Sequence, residues 1–450
     1  MGDTIVAVST ALAEGAITII RISGNKAISI VNSVFKEKDL TLLASHTINY
    51  GHIVYNGEII DEVLLMLMRS PKTYTTEDII EINCHGSIAI ANKILEILLI
   101  LGCRLAEPGE FTKRAFLNGR IDLIQAEGVM DLINSKTELK RKLAINEVSG
   151  TVSTKIKSLR QKVLELIANI EVNIDYPEYE DIEIVTINKI KTEINLIKEE
   201  VKNILNLSEN GKIIKDGIKT LILGKPNVGK SSLLNTLLEE EKAIVTSLEG
   251  TTRDVVEGSF IIDGVKLDII DTAGVRDSDN VIEKIGIDKS IKLIDEAELI
   301  LLVLNYNQIL SKEDKFLLEK TKNKRRIIII NKIDLDKELT VDLVGEEVVK
   351  ISTKNNVGLD LLKIKIKELF NFGAFESKDL TFLTNARQIS ALKLVLKSIE
   401  DIEKAIKDNL EIDMIEIDLR SMWEQLGEII GTNYSDELID QLFSQFCLGK

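Results

Sequence analysis

Cysteine is scarce: Cys84, Cys103 and Cys447 are the only three among 450 residues, and they lie far apart without metal-ligand spacing. That excludes a disulfide framework and a zinc ribbon. No apolar run approaches the ~18 residues a membrane-spanning helix needs. The N-terminus, Met1-Gly2-Asp3-Thr4, sets no basic region ahead of an apolar signal stretch, so a cytoplasmic protein without membrane association is expected. Positive charge is also short, with 57 Lys and Arg against 72 Asp and Glu and a net charge of −15. Such a balance repels a polyanion at long range and excludes a blanket electrostatic affinity for nucleic acid. A local basic patch of Lys113, Arg114 and Arg120 stays open beside the plainer reading, a solvated basic helix face. Fixed-period repeats and low-complexity tracts are missing as well.

What is present is a globular composition, 44% hydrophobic and 29% charged, in a chain long enough for roughly two to four domains. Up to about residue 118 the pattern is mixed α+β. Ile17–Ile22 reads as a strand, and Asn56-Gly57 sits between two strand-like segments as a hairpin turn, because both positions tolerate positive φ. Ala91–Leu101 reads as a helix ended by Gly102. Helical spacing then takes over. Ile156, Leu159, Val163, Leu166 and Ile170 recur at three- and four-residue steps, as do Ile187, Ile190, Ile194, Ile197, Val201 and Ile204. An acidic stretch from Asp175 to Asp181, with Pro177 inside it, breaks the two runs. The same spacing returns with Leu392, Val395, Ile399, Ile402 and Ile406, and again with Ile415, Leu419, Met422, Leu426 and Ile429. Between the helical blocks, strands and helices alternate. The expected fold class is therefore multidomain α+β and α/β, with domains at 1–118, 119–215, 216–375 and 376–450. The two helical blocks form one domain split by an insertion or, alternatively, two independent domains.

The insertion carries the chemistry. Ile218–Leu223 is a strand feeding Gly224-Lys225-Pro226-Asn227-Val228-Gly229-Lys230-Ser231, which fits the phosphate-loop pattern G-x-x-x-x-G-K-[ST]. A strand turning through glycines into a helix aims backbone N–H groups at one point, where Lys230 reaches the β/γ-phosphates and Ser231 can ligand Mg²⁺. Val228, Gly229 and Ser232 complete this nucleotide-binding stretch. Asp271-Thr272-Ala273-Gly274, after the strand Val265–Ile270, places a carboxylate for Mg²⁺ and a glycine for the γ-phosphate. Asn331, Lys332 and Asp334 follow a buried strand, and a carboxylate at Asp334 accepts from N1–H and the 2-amino group of guanine, donors that adenine lacks. That selects GTP. Ser352 and Thr353 are expected to offer backbone donors to guanine O6. Within Thr246-Ser247-Leu248-Glu249-Gly250-Thr251-Thr252, Thr252 is the candidate that completes the Mg²⁺ shell and releases it after hydrolysis. Val275 stands where many such enzymes carry a water-orienting Gln, so another residue must orient the water.

These residues, with Asp61–Leu65, Tyr74–Asp78, Pro108–Arg120, Gly250–Asp254 and Cys447–Lys450, give a chain that closely resembles the MnmE (TrmE) family of tRNA-modification GTPases from end to end. The resemblance implies an N-terminal tetrahydrofolate-binding domain that forms a homodimer, a split helical domain, and an inserted Ras-like G domain hydrolysing GTP in a potassium-dependent way. It implies a partner, the flavoprotein MnmG, which brings the FAD, and a product, a carboxymethylaminomethyl-type group at C5 of the wobble uridine (position 34) of certain tRNAs. The folate, in a 5-formyl or 5,10-methylene form, would supply the one-carbon unit.

By the same resemblance, Asn227, Thr246, Leu248 and Thr251 would hold K⁺, and Glu283 would be catalytic through a bridging water, beside Lys230. Arg21, Glu81, Arg120 and Lys450 would hold folate, with Glu81 on the pterin and the cations on the glutamate tail. Cys447 is open between a redox or nucleophilic thiol and a small apolar residue. His85, without a partner histidine nearby, reads as structural packing. The chain departs from the family pattern at Ser9–Gly15, at Arg120, where Lys is frequent, and at Ser352-Thr353-Lys354. Rival readings are a ribosome-assembly GTPase and a non-catalytic, nucleotide-gated folate-binding scaffold.

Overall fold

The structure is a computed structural model. It describes residues 2–175, 187–240, 258–270, 292–370, 372, 382–432, 434, 436–446 and 449. The chain divides into two compact units, one of residues 1–134, 144–198 and 391–450, the other of residues 135–143 and 199–390.

The first unit is built on a six-stranded sheet. Its strands are β1 (Ile5–Val8), β2 (Ile17–Ser23), β3 (Thr47–Tyr55), β4 (Glu58–Met68), β5 (Ile79–His85) and β6 (Arg104–Leu105), in spatial order β3-β4-β5-β2-β1-β6. All pairings are antiparallel except β1 with β6. The β3–β4 turn is Asn56-Gly57, with φ of 50° and 85°, as the sequence predicts. Along β4, Val63, Leu65 and Leu67 face inward while Glu62 and Leu64 face out, the period-two pattern of a half-covered sheet. The inward face packs on the helices Ala27–Asn32 and Ile88–Ile100 through Ile30, Val31, Ile94, Ile97 and Leu98. The second of these helices begins three residues before the predicted start and is followed by Gly102 at φ 101°.

Long helices complete this unit. Thr151–Asp175 packs along Ile412–Ile430, and the stripes Ile156, Leu159, Val163 and Ile170, and Ile415, Leu419, Met422, Leu426 and Ile429, are all at 0% exposure. Complete burial of one stripe on each partner is what the three- and four-residue spacing demands. The acidic break predicted to separate the helical runs lies outside the described residues beyond Asp175. Among the described residues, no helix is long and apolar enough to cross a membrane.

The second unit holds another six-stranded sheet. Its strands are β7 (Ile218–Leu223), β8 (Ser259–Ile262), β9 (Val265–Ile269), β10 (Leu299–Asn305), β11 (Arg326–Asn331) and β12 (Val348–Lys350), ordered β12-β11-β10-β7-β9-β8. Neighbours are parallel apart from the edge pair β8–β9. Every residue of β10 and of β11 is buried, as parallel strands covered on both faces require. The strand order reverses direction beside β7, so the loops after β7, β10, β11 and β12 converge at their carboxyl ends, the position where open parallel sheets bind ligands.

Candidate nucleotide-binding site

The phosphate loop leaves β7 through Gly224 at φ 149° and passes Asn227 at φ 62° and Gly229 at φ 99°, before the helix Lys230–Glu240. Both glycines are required for space as well as for φ. A Cβ on Gly224 would lie 2.5 Å from the Val303 carbonyl oxygen, and one on Gly229 would lie 2.3 Å from Asn331 Nδ2. Asn227 takes the left-handed conformation that asparagine tolerates best among side-chain-bearing residues.

The segment expected to recognise guanine is tied directly to this loop. Asn331, fully buried at the end of β11, donates from Nδ2 to the Val228 carbonyl at 2.9 Å. Lys332, with φ 67°, donates from Nζ to the Asn227 carbonyl at 2.7 Å. Asn331 Oδ1 accepts from the Lys332 N–H at 2.8 Å and from the Thr353 N–H at 3.2 Å, so one amide joins three loops. The Thr353 N–H, expected to face guanine O6, is spent here, and the Ser352 N–H donates to the Val357 carbonyl at 3.0 Å. The Ser352 hydroxyl instead donates to Asp334 Oδ1 at 2.7 Å. This bond, helped by Lys354 and Lys332, holds the exposed Asp334 carboxyl below its ordinary range, leaving it an ionised acceptor.

Lys230 is half-buried and donates from Nζ to the carbonyls of Gly224 at 2.8 Å and Lys225 at 3.0 Å. Burial pulls its pKa down, partly offset by Glu313. Among the described residues its hydrogen bonds go to neutral carbonyls alone, and such a desolvated ammonium gains most from an anion such as a polyphosphate. Ser231 and Ser232 sit in the first turn of the following helix, where a hydroxyl is a hard oxygen donor suited to Mg²⁺. The glycine cradle, the buried amide and this donor set fit a nucleotide with its magnesium. Thr246, Ser247, Leu248, Glu249, Gly250, Thr251, Thr252, Asp271, Thr272, Ala273, Gly274 and Glu283 lie outside the described residues.

In the first unit, Arg21 and Glu81 are register partners on β2 and β5 and pair with each other, Nε to Oε1 at 2.7 Å. Arg21 Nη1 also donates to the Gly449 carbonyl at 3.3 Å, and the Ser9 hydroxyl to the same oxygen at 3.2 Å. The chain's end is thereby seated against β2, although Cys447 and Lys450 lie outside the described residues. Arg120 stacks over Tyr74 with its guanidinium carbon 4.9 Å from the ring centroid, on the wall of a cleft of ≈ 570 Å³ shared with Pro71, Thr76, Asn118 and Gly119. Tyr74 in turn packs against the cluster of Ile5, Ala7, Ala106 and Phe111, and Arg21 lies over the Phe111 ring at 5.6 Å. A cleft with an aromatic wall and a cation suits a flat heterocycle bearing a carboxylate, as a folate is, but Arg21 and Glu81 are not among the residues that line it and pair with each other instead.

Two other readings are corrected. Lys113, Arg114 and Arg120 form no basic patch and no solvated face. Arg114 is 1% exposed and bonded to Asp3, Glu77 and Glu110, and Lys113 pairs with Asp440. His85 is not packed in a core. Its side chain is 66% exposed and bonds Asp61 from Nδ1 at 2.7 Å, and that carboxylate raises the imidazole pKa. Burial pushes the Cys84 and Cys103 thiols up to about 11, so neither is a nucleophile.

Comparison with known proteins gives matches across the chain. A model described as "GTP-binding protein TrmE N-terminus" matches residues 4–120, and one described as "MnmE helical domain" matches residues 123–447. A Streptococcus thermophilus protein named tRNA modification GTPase MnmE is 51% identical over 450 residues, covering 100% of this chain and 98% of that protein. Proteins of the same name from Streptococcus mutans and Enterococcus faecalis are 50% and 49% identical, each covering 100% of this chain and 99% and 98% of their own lengths.

Proposed function

The chain belongs to the MnmE family of tRNA modification GTPases, and from that premise we propose that it hydrolyses GTP to drive modification of the wobble uridine of certain tRNAs in the cytoplasm. The observation that carries the reading is the pair of bonds from Asn331 and Lys332 to the Val228 and Asn227 carbonyls. They couple base recognition to the phosphate loop, so that guanine and the phosphates are read as one object.

Lys230 moves its ammonium from the Gly224 and Lys225 carbonyls to the phosphate oxygens, trading neutral acceptors for charged ones. Asp334 rejects adenine by leaving its own charge unpaired. Ser231, Thr252 and Asp271 would hold a magnesium ion, which when bound would neutralise phosphate charge. Asn227, Thr246, Leu248 and Thr251 would hold a potassium ion, which when bound would supply the positive charge that an arginine finger supplies elsewhere. Glu283 orients the water through a bridging solvent molecule, because Val275 cannot.

In the first unit, Arg21, Glu81, Arg120 and Lys450 hold a tetrahydrofolate, which when bound supplies a one-carbon unit. The active form is a homodimer working with the flavoprotein MnmG, whose FAD completes the chemistry, and the product carries a carboxymethylaminomethyl-type group at C5 of uridine 34. Phosphate release from GTP in potassium against sodium buffer, paired with analysis of wobble nucleosides in cells lacking the chain, tests this. Faster release in potassium and loss of the C5 group are expected. Equal release in the two buffers removes the potassium role, and intact wobble nucleosides with defective ribosomes favour a ribosome-assembly role instead.

A further inference from the structure

Asn331 and Lys332 tie the carboxyl-terminal half of the phosphate loop, at Val228 and Asn227. The amino-terminal half is tied from a different place, outside every nucleotide-binding motif. Lys225 Nζ lies 3.2 Å from Asp314 Oδ2, at the start of the helix Lys312–Lys320 that follows β10. Both side chains are withdrawn from solvent, 16% and 3% exposed. Asp314 Oδ2 also accepts from the Ser311 N–H at 2.9 Å and the Ser311 hydroxyl at 2.8 Å, while the Ser311 hydroxyl receives the Asp314 N–H. That capping box fixes the carboxylate on the helix end. The other oxygen, Oδ1, is buried without a hydrogen bond, so Lys225 is the one cation recorded against this carboxylate among the described residues.

The consequence reaches the catalytic lysine. The backbone carbonyl of Lys225 is one of the two that hold Lys230 Nζ, so the residue whose side chain is pinned to Asp314 also presents the oxygen that holds the catalytic ammonium. The neighbouring Glu313 acts on Lys230 as well, which places this helix end beside the loop. A loop that passes through positive φ at Gly224, Asn227 and Gly229 holds a backbone conformation that its surroundings must support.

We infer that Asp314 is a positioning residue for GTP binding: through its ion pair with Lys225 it fixes the first half of the phosphate loop, complementing the tie from Asn331 and Lys332. The inference rests on the GTPase reading above. It assigns a binding role to a helix cap that no nucleotide motif contains.

The test is a double-mutant cycle on the full chain, reading GDP affinity by titration calorimetry with magnesium present. Asp314→Asn keeps an oxygen for the capping box and removes the charge; Lys225→Met removes the ammonium and keeps the chain length. Each is expected to weaken GDP binding about tenfold, the equivalent of one broken charge-assisted bond. The double variant is expected to be no weaker than the worse single, and Lys225→Arg, which keeps the pair, to bind within about threefold of wild type. Thermal melts accompany each titration, and Lys225→Arg supplies the answer if Asp314→Asn does not fold. Unchanged affinity in Lys225→Met, losses that multiply in the double variant, or an equal loss in Lys225→Arg would overturn the inference. If wild type itself fails to bind GDP, the GTPase reading fails first.

Discussion

The two sheets have the same number of strands and differ in how charge is placed around their motif loops. In the first, charges are consumed inside. Arg114 is wrapped by Asp3, Glu77 and Glu110, Arg104 bridges Asp3 and Glu110, and the Ser23 hydroxyl adds a bond to Glu77 at 2.8 Å. Burial raises the Glu110 pKa, but bonds from Arg104, the Glu107 N–H and Arg114 outweigh it and hold the carboxyl low. In the second, Arg326 is likewise paired with Glu346, but around the phosphate loop Asn331 and Lys332 tie the backbone while Lys230 donates to the neutral carbonyls of Gly224 and Lys225. A saturated network stabilises a fold; an under-satisfied one is ready for a ligand. The difference separates the motif at Pro108–Arg120, which is largely architecture, from the loop at Gly224–Ser231, which is the candidate site.

Four substitutions can break or sharpen that contrast. Arg114→Met removes the cation paired with the half-buried Glu77 and leaves Asp3 and the buried Glu110 to Arg104 alone. It is expected to cost about 3–5 kcal/mol, read by chemical denaturation. Retained stability would show that the network is not structural. Asp334→Asn turns an acceptor for guanine into a mixed donor and acceptor. GDP affinity is expected to fall roughly a hundredfold, about 3 kcal/mol, with the melt unmoved. A matching fall in stability would place Asp334 on the architectural side.

Asn331→Ala removes the donor to Val228 and the acceptor of two N–H groups. A loss of about 1–3 kcal/mol is expected, shared between stability and GDP binding, and the two measured together show how far the loop depends on that amide. The smallest effect belongs to His85. Its pKa is raised by Asp61, so its stabilisation is complete below the unfolded value of 6.5 and lost as pH rises through the higher folded value. His85→Gln should therefore lower the melting temperature at about pH 5.5 and leave it unchanged at about pH 9. A gap that persists at high pH would mean packing.

Much of this was legible in the residues because the signals are local. The stripes of Ile156–Ile170 and Ile415–Ile429, the Asn56-Gly57 turn and the strand ahead of Gly224 follow from spacing and allowed φ alone. The strand-to-loop-to-helix placement of Gly224–Ser231 was legible because glycines and Asn227 suit its positive-φ positions. The burial of Arg114 was not, since its partners lie 4, 37 and 111 positions away and a basic residue on a helix reads as solvated until they are brought together. The Lys225–Asp314 pair was hidden for the same reason: its members are 89 positions apart, and Asp314 looks like any helix cap. The use of the Thr353 N–H by Asn331 likewise depends on how three strand ends meet.

The central claim is that the loops after β7, β11 and β12 form one guanine-nucleotide pocket. Titration of the full chain with GDP and, separately, ADP in magnesium buffer tests it most directly. One GDP per chain, with ADP weaker by at least about a hundredfold, is the predicted result. Equal affinity for the two nucleotides, or no heat from GDP, would contradict it.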